Sequence, residues 1–353
     1  GVLLYRFLRE MSASRPWAVA GALIYGLATP AFTYAGAFFS HQLTAFLLFS
    51  AFYIGFKIKL GQLSPVWLIA AGFMLGYSLI SEYPTFLIAL GVFVYIVWHL
   101  VQSQLFRRWI APFIASGAVP GILLVAYNFA IFHTPLPVGY EYSELYTDIH
   151  SQGLISLTYP HAEALWGITF GSFRGLFYVA PVLLLAVIGL VLWWQWRRFR
   201  AEAIVCTWAL VSFLLFNGSS VMWQGGYSVG PRYLVPMIPF LALGFGPLFI
   251  HWGQRLTTRI AASLLAVYSW LVVWIETIGG QNYPDWTQAP LFNYSIPNLL
   301  KEDIARNWGM GVGLRGWASL LPILLFLGVA GILLVTRLSP ASSQPVSQNS
   351  GER

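Results

Sequence analysis

An arginine beside glycine at the mouth of an apolar stretch can bind an anion, and this chain carries that combination twice. In WQGGYSVGPRYLVPMIP, Trp223 to Pro239, Arg232 stands between Pro231 and Tyr233, two residues after Gly230. Trp223, the paired glycines Gly225 and Gly226, and Tyr227 lie just upstream. In GITFGSFRGLFYVAPVLLLA, Gly167 to Ala186, Arg174 is followed by Gly175, aromatics and Pro181. A guanidinium is costly in hydrocarbon, so each arginine must lie at an interface, pair with an anion or line a wet cavity. Glycine lets backbone approach a ligand closely, helix N-termini favour anions, and the arginine fork matches phosphate oxygens. The two arginines together therefore suit a clamp for a phosphate or diphosphate. The competing reading is an aromatic belt with two snorkelling arginines.

The acid–base candidates are fewer. Glu82, in SLISEYPTF beside Tyr83 and Pro84, can bind sugar hydroxyls, pair with an arginine, or simply face water. His41, in the turn FFSHQL, reads either as a cavity-lining residue or as a solvated turn residue. Glu276, in VVWIETIGG, is a candidate partner for one of the arginines. His133, His150 and His161 are scattered without the close spacing of a zinc site, so no metal cluster is expected. No GxSxG, Walker A, GxGxxG or HExxH pattern occurs, which leaves a nucleotide-using cytoplasmic enzyme without support.

The elements that must position these residues are apolar. Hydrophobic residues make up 58% of the 353 and charged residues 9%, against roughly 25% charged in a soluble domain. The expected fold is an all-α polytopic membrane protein, and the net charge of +7 is no nucleic-acid signal. Ten stretches have about the length and apolarity of a span, near 17–38, 42–57, 65–81, 84–101, 109–132, 175–196, 202–217, 233–251, 259–278 and 316–336. Thirteen Lys and Arg residues fall on one side of these stretches, in strict alternation, and five on the other, which places the first side in the cytoplasm. Glu82, Glu141, Glu144, Asp148, Glu163, Glu276, Asp285, Glu302 and Asp303 collect on the opposite side. The two long loops, 133–174 and 279–315, are then extracytoplasmic, and loops of that length usually carry function. The tail 338–353 is polar and reads as disordered. The single cysteine, Cys206, excludes an intramolecular disulfide. No inverted repeat is visible, which counts against transporters built from such repeats. Residue 1 is Gly rather than Met, and the expectation is of a span and an external loop upstream of it.

Three segments carry a resemblance to a known family. YGLATPAFTYAGAFFSHQLTAFLLFSAFY, SFRGLFYVAPVLLLA and WQGGYSVGPRYLVPMIPFLAL resemble parts of bacterial membrane glycosyltransferases of the GT-C type, relatives of the protein mannosyltransferases. The similarity covers most of residues 17–250. It implies many transmembrane helices with large extracytoplasmic loops in a bacterial plasma membrane, within a domain spanning 1–337. The activity it implies is transfer of a sugar from a polyprenyl-phosphate donor to a lipid, glycan or protein acceptor.

In that family the catalytic acid, usually Asp, lies in the first external loop, which this sequence does not contain. The general base is therefore expected upstream of residue 1, with Glu82 the candidate within the chain, and the fragment alone is expected to be inactive. A divalent metal is compatible with the family, its ligands then lying in the missing loop. The resemblance implies phosphate binding by Arg232 and Arg174, with His41, Glu82 and Tyr83 lining the cavity. Trp223, Gly225, Gly226, Tyr227 and Tyr233 would line it from the glycine-rich segment, and Trp166, Trp223, Tyr140 and Tyr142 would stack on sugar faces. The alternatives are a flippase for a lipid-linked sugar, which would need polar groups through the bilayer midplane, and a relative that binds the lipid carrier without turnover.

Overall fold

The computed structural model describes residues 1–135, 157–284 and 287–338. Tyr140, Glu141, Tyr142, Glu144, Asp148, His150, Asp285 and the tail beyond 338 lie outside the described residues. The described chain is helical, with one isolated antiparallel bridge between Leu157 and Ser220. It divides into two units, Gly1–Ala305 and Arg306–Arg353.

The first unit contains α1 (Val2–Glu10), α2 (Arg15–Leu27), α3 (Pro30–Ala35), α4 (His41–Lys59), α5 (Leu68–Ser81), α6 (Phe86–Gln102) and α7 (Phe106–Phe132). After the first long loop come α8 (Ala162–Thr169), α9 (Leu176–Val179), α10 (Leu183–Trp193), α11 (Arg200–Gly218), α12 (Ile238–Ala242), α13 (Phe245–Trp252), α14 (Leu256–Ile278) and α15 (Ile296–Leu300). The second unit holds α16 (Trp308–Gly311) and α17 (Leu321–Leu338). Asn307 caps α16 by accepting from the Gly309 amide at 2.9 Å.

Six helical segments among the described residues are long and apolar enough to cross a membrane: Tyr83–Gln102, Phe106–Phe132, Arg197–Gly218, Arg232–Trp252, Leu256–Ile278 and Gly316–Arg337. Of the others expected from the sequence, 42–57 is one unbroken 19-residue helix, α4, with His41, Gln42, Lys57 and Lys59 at its ends, and the rest are shorter or broken. The stretch 17–38 is interrupted at Thr29, whose side chain donates to the Tyr25 carbonyl at 2.6 Å and accepts from the Ala31 amide, starting α3 at Pro30. Proline has no amide to donate, so it can open α3 but cannot continue α2. Pro181 similarly separates α9 from α10.

The segment 232–252 is the innermost, with 89% of its most apolar window buried, against 11–44% for the other five candidates. It begins as a 3-10 turn, Arg232–Met237, and passes into α12 and α13. Phe240 packs edge-on to Phe49 and stacks on Phe52, while Phe7 stacks on Phe56 at 4.1 Å, so the core is largely aromatic. Around it the helices approach through small residues. A β-carbon added to Gly76 of α5 would stand 2.0 Å from the Gly117 carbonyl oxygen of α7, and one added to Gly72 would stand 2.1 Å from that of Phe113. Two glycines four apart on one helix face let the backbones touch, the arrangement that serves where lipid removes the hydrophobic drive for helix pairing.

At one end of this bundle Glu202 is fully buried. Its Oε1 accepts from Lys59 Nζ at 2.7 Å and from the Tyr95 hydroxyl at 2.6 Å. Both charges stand at helix ends, Lys59 closing α4 and Glu202 in the first turn of α11.

Gly76→Leu is expected to force α5 and α7 apart and destabilise the protein by about 3 kcal/mol, at the upper end of the range for overpacking. Gly121→Leu, on α7 with nothing within 4 Å of an added β-carbon, should be close to neutral. Thermal melts of both variants in detergent check the contrast.

Candidate functional site

The loop between α11 and the 3-10 turn at Arg232 carries three glycines in left-handed backbone, Gly225 at φ 71°, Gly226 at 63° and Gly230 at 57°. A residue with a β-carbon is strained there, which explains the paired glycines. The loop is tied down from three other elements. Arg174 donates from Nη1 to the Ser228 carbonyl and from Nη2 to the Gly226 carbonyl. The Tyr34 hydroxyl donates to the Val229 carbonyl at 2.7 Å, and the Gly230 amide donates to the Tyr283 hydroxyl at 3.1 Å.

Arg174 is fully buried, with its guanidinium carbon 4.1 Å from the Phe173 ring centroid and 4.8 Å from that of Tyr283. Burial lowers its pKa from the usual arginine value, opposed by Tyr283, Tyr34 and Glu276 nearby. Burial likewise raises the Tyr283 phenol well above its usual range, so it stays a neutral hydroxyl. The expected second phosphate ligand is thus committed to backbone carbonyls, because the loop that Arg174 holds closes over it. Glu276 is buried with an unpartnered Oε2, and among the described residues it forms no ion pair with either arginine.

Arg232 is placed differently. It is half-buried, and Nη2 donates to the Tyr233 hydroxyl at 3.1 Å while Nε, like that of Arg174, has no partner. Its guanidinium carbon lies 5.0 Å from the ring centroids of both Phe39 and Tyr233. Gly225 gives it room, since a β-carbon there would come within 3.3 Å of Arg232 Cγ and Nε.

Glu82 and His41 meet beside it. The helix α5 stops at Glu82, which is extended at φ −154° and ψ 112°, and Tyr83-Pro84-Thr85 turn the chain toward α6. His41 is the first residue of α4 and is 5% exposed. Its Nδ1 lies 2.6 Å from Glu82 Oε1, close enough for an ion pair although neither ring nitrogen is aligned for a hydrogen bond. The Ser40 hydroxyl donates to the same Oε1 at 2.6 Å. The imidazole meets Tyr34 and Tyr233 edge-on and stacks on Phe39, each at 5.7 Å.

Contacts therefore run from Glu82 through His41 and Tyr233 to Arg232 and Gly225, with Gly226 in the same loop. The other expected residues stand outside this cluster. Tyr83 is 62% exposed, and Tyr227 is exposed on the loop. Trp223 packs on Gly167, where a β-carbon would come within 2.3 Å of its ring, and meets Phe173 edge-on. Trp166 is exposed and tilts against Phe170. His161 Nε2 lies 2.8 Å from Thr158 Oγ1, and His133 ends α7 in left-handed backbone. Among the described residues no three His, Cys, Asp or Glu side chains are grouped to hold a metal.

Sequence reasoning missed Phe39, Ser40, Tyr34, Tyr283 and Ser228. Phe39 and Ser40 flank His41 in FFSHQL and were legible as part of that turn. Tyr283 reaches the loop from more than 50 residues away, and no local pattern announces it. Comparison with protein-family models, with curated proteins and with solved structures finds no match to this chain.

Arg174→Ala leaves two loop carbonyls without their charged donor, a loss of about 3 kcal/mol or more. It should lower the melting temperature and speed protease cleavage within 223–231. A variant with unchanged melting and cleavage would show that Arg174 does not hold the loop.

Proposed function

We propose that this protein is an integral-membrane glycosyltransferase of the GT-C type, moving a sugar from a polyprenyl-phosphate donor to an extracytoplasmic lipid, glycan or protein acceptor. The observation that carries the reading is Arg232: a half-buried guanidinium with an unpartnered Nε, flanked by two aromatic rings and set beside a carboxylate–imidazole pair. A buried donor without a partner is costly, and a phosphate would satisfy it. The resemblance of the segments around His41, Arg174 and Arg232 supports the same reading.

In this reading ten stretches lie in the plasma membrane and the arginine-rich loops face the cytoplasm. The Glu82–His41–Arg232 cluster then lies at outer-leaflet depth, where a polyprenyl tail could enter between helices. Arg232 would neutralise the phosphate as it leaves, stabilising charge that grows in the transition state. Tyr233 and Phe39 would offer ring faces to the sugar. Arg174 would act indirectly, by holding the loop that presents Arg232.

Transfer of labelled sugar from a synthetic polyprenyl-phosphate donor, measured in membranes containing the full chain, tests the reading. Arg232→Ala should lose donor binding and lower the rate by roughly 10²–10³-fold, the scale for removing one preorganised charge-stabilising donor. Arg232→Lys should recover part of the binding, since an ammonium keeps the charge but loses the fork. Equal donor consumption by wild type and Arg232→Ala would overturn the site. Donor binding without transfer from any donor would favour a carrier-binding protein or a flippase.

A further inference from the structure

The chain itself holds a candidate base. Resting on the glycosyltransferase reading, we propose that His41 is the proton acceptor for the attacking hydroxyl and that Glu82 is its positioning residue. Three observations carry this. Nδ1 of His41 faces Glu82 Oε1 at 2.6 Å, and Ser40 donates to that same oxygen. Nε2 is buried and has no hydrogen-bond partner. Phe39 covers both this imidazole, stacked at 5.7 Å, and the Arg232 guanidinium, at 5.0 Å.

Neither ring nitrogen of His41 makes a hydrogen bond, and a buried unpaired nitrogen costs free energy that a ligand hydroxyl would recover. A carboxylate 2.6 Å from Nδ1 would hold the proton on that nitrogen once the ring aligns with it, which leaves the Nε2 lone pair free, the tautomer a general base requires. The titratable and charged groups facing the imidazole are Glu82 from the end of α5, Tyr34 from α3, and Tyr233 with Arg232 beyond it from the 3-10 turn. Glu82 is the acidic group among them, and it stands on the Nδ1 side.

Phe39 is 37% exposed and sits in the non-helical link between α3 and α4, next to the fully exposed Phe38. A sugar ring taking its place would meet the imidazole on one side and bring its anomeric phosphate to Arg232 on the other. The acceptor hydroxyl oxygen then bonds to the anomeric carbon as the carbon–oxygen bond to phosphate breaks. The electron pair of that bond leaves on polyprenyl phosphate, held by Arg232. The hydroxyl proton passes to Nε2, and the imidazolium beside Glu82 later releases it to solvent.

The test uses the full chain in proteoliposomes, with donor binding and the pH dependence of transfer measured on the same samples. Wild type should lose rate on the acid side. His41→Gln should bind donor as wild type does, transfer about 10²–10⁴-fold more slowly, and lose that acid limb. Glu82→Gln should lose rate while keeping the limb, since the imidazole remains. His41→Ala should recover rate when imidazole is added, which a folding defect would not do. His41→Gln transferring at the wild-type rate, or retaining the acid limb, overturns the proposal and leaves the glycosyltransferase reading standing. A wild type that neither binds nor consumes any polyprenyl-phosphate sugar overturns both.

Discussion

A buried guanidinium is the constraint on which the rest of the candidate site depends. Arg174 has no exposed surface, and two of its nitrogens reach the carbonyls of Gly226 and Ser228. Removing a charge from water is unfavourable unless carbonyls, ring faces or anions replace the lost solvent. Here two carbonyls and two aromatic rings replace most of it, and Nε is left without a partner. The loop must keep its left-handed turns at Gly225 and Gly226 to aim those carbonyls inward. One interaction thus determines both the fate of Arg174 and the path of the loop that leads to Arg232.

That path decides what Arg232 can meet. The loop delivers it at the start of the most buried helical segment, where Tyr233 touches both it and His41. His41 in turn is held where α4 begins and α5 ends, through Glu82 and Ser40. Each contributing element is short and irregular at the point of contact: a 3-10 turn, a helix terminus, an extended cap. Regular helix would keep its backbone groups to itself and direct side chains onto neighbouring helices. The breaks at Thr29, Glu82 and Pro231 are where the polar groups of this bundle can gather.

Polar groups also gather at the opposite ends of α4 and α6, where Lys59, Tyr95 and Glu202 form a second buried cluster. There Lys59 and Tyr95 both spend their donors on Glu202. Glu202 Oε2 is left without a partner there, as are Nε of Arg232 and Nε2 of His41 in the other cluster. The two differ in charge: Lys59 and Glu202 form an ion pair at 2.7 Å, whereas among the described residues Arg232 forms none.

Composition and hydrophobic length were enough to identify a helical chain with membrane-length segments, because an apolar stretch of about 20 residues has few other stable homes. Residue type and neighbours also marked Arg232, His41, Glu82 and Gly225 as candidates, and the structure brings them together. Arg174 and Arg232 look alike in sequence, each an arginine beside glycine at the start of an apolar run. Only the tertiary structure separates them, since burial of Arg174 depends on a loop some 50 residues later in the chain and on Tyr283 beyond that. The pairing of His41 with Glu82, and the unpaired Nε2 that follows from it, likewise depend on where two helices end in space. Local sequence carries helix length and turn chemistry, whereas solvation of a charge is decided by whatever the fold brings around it.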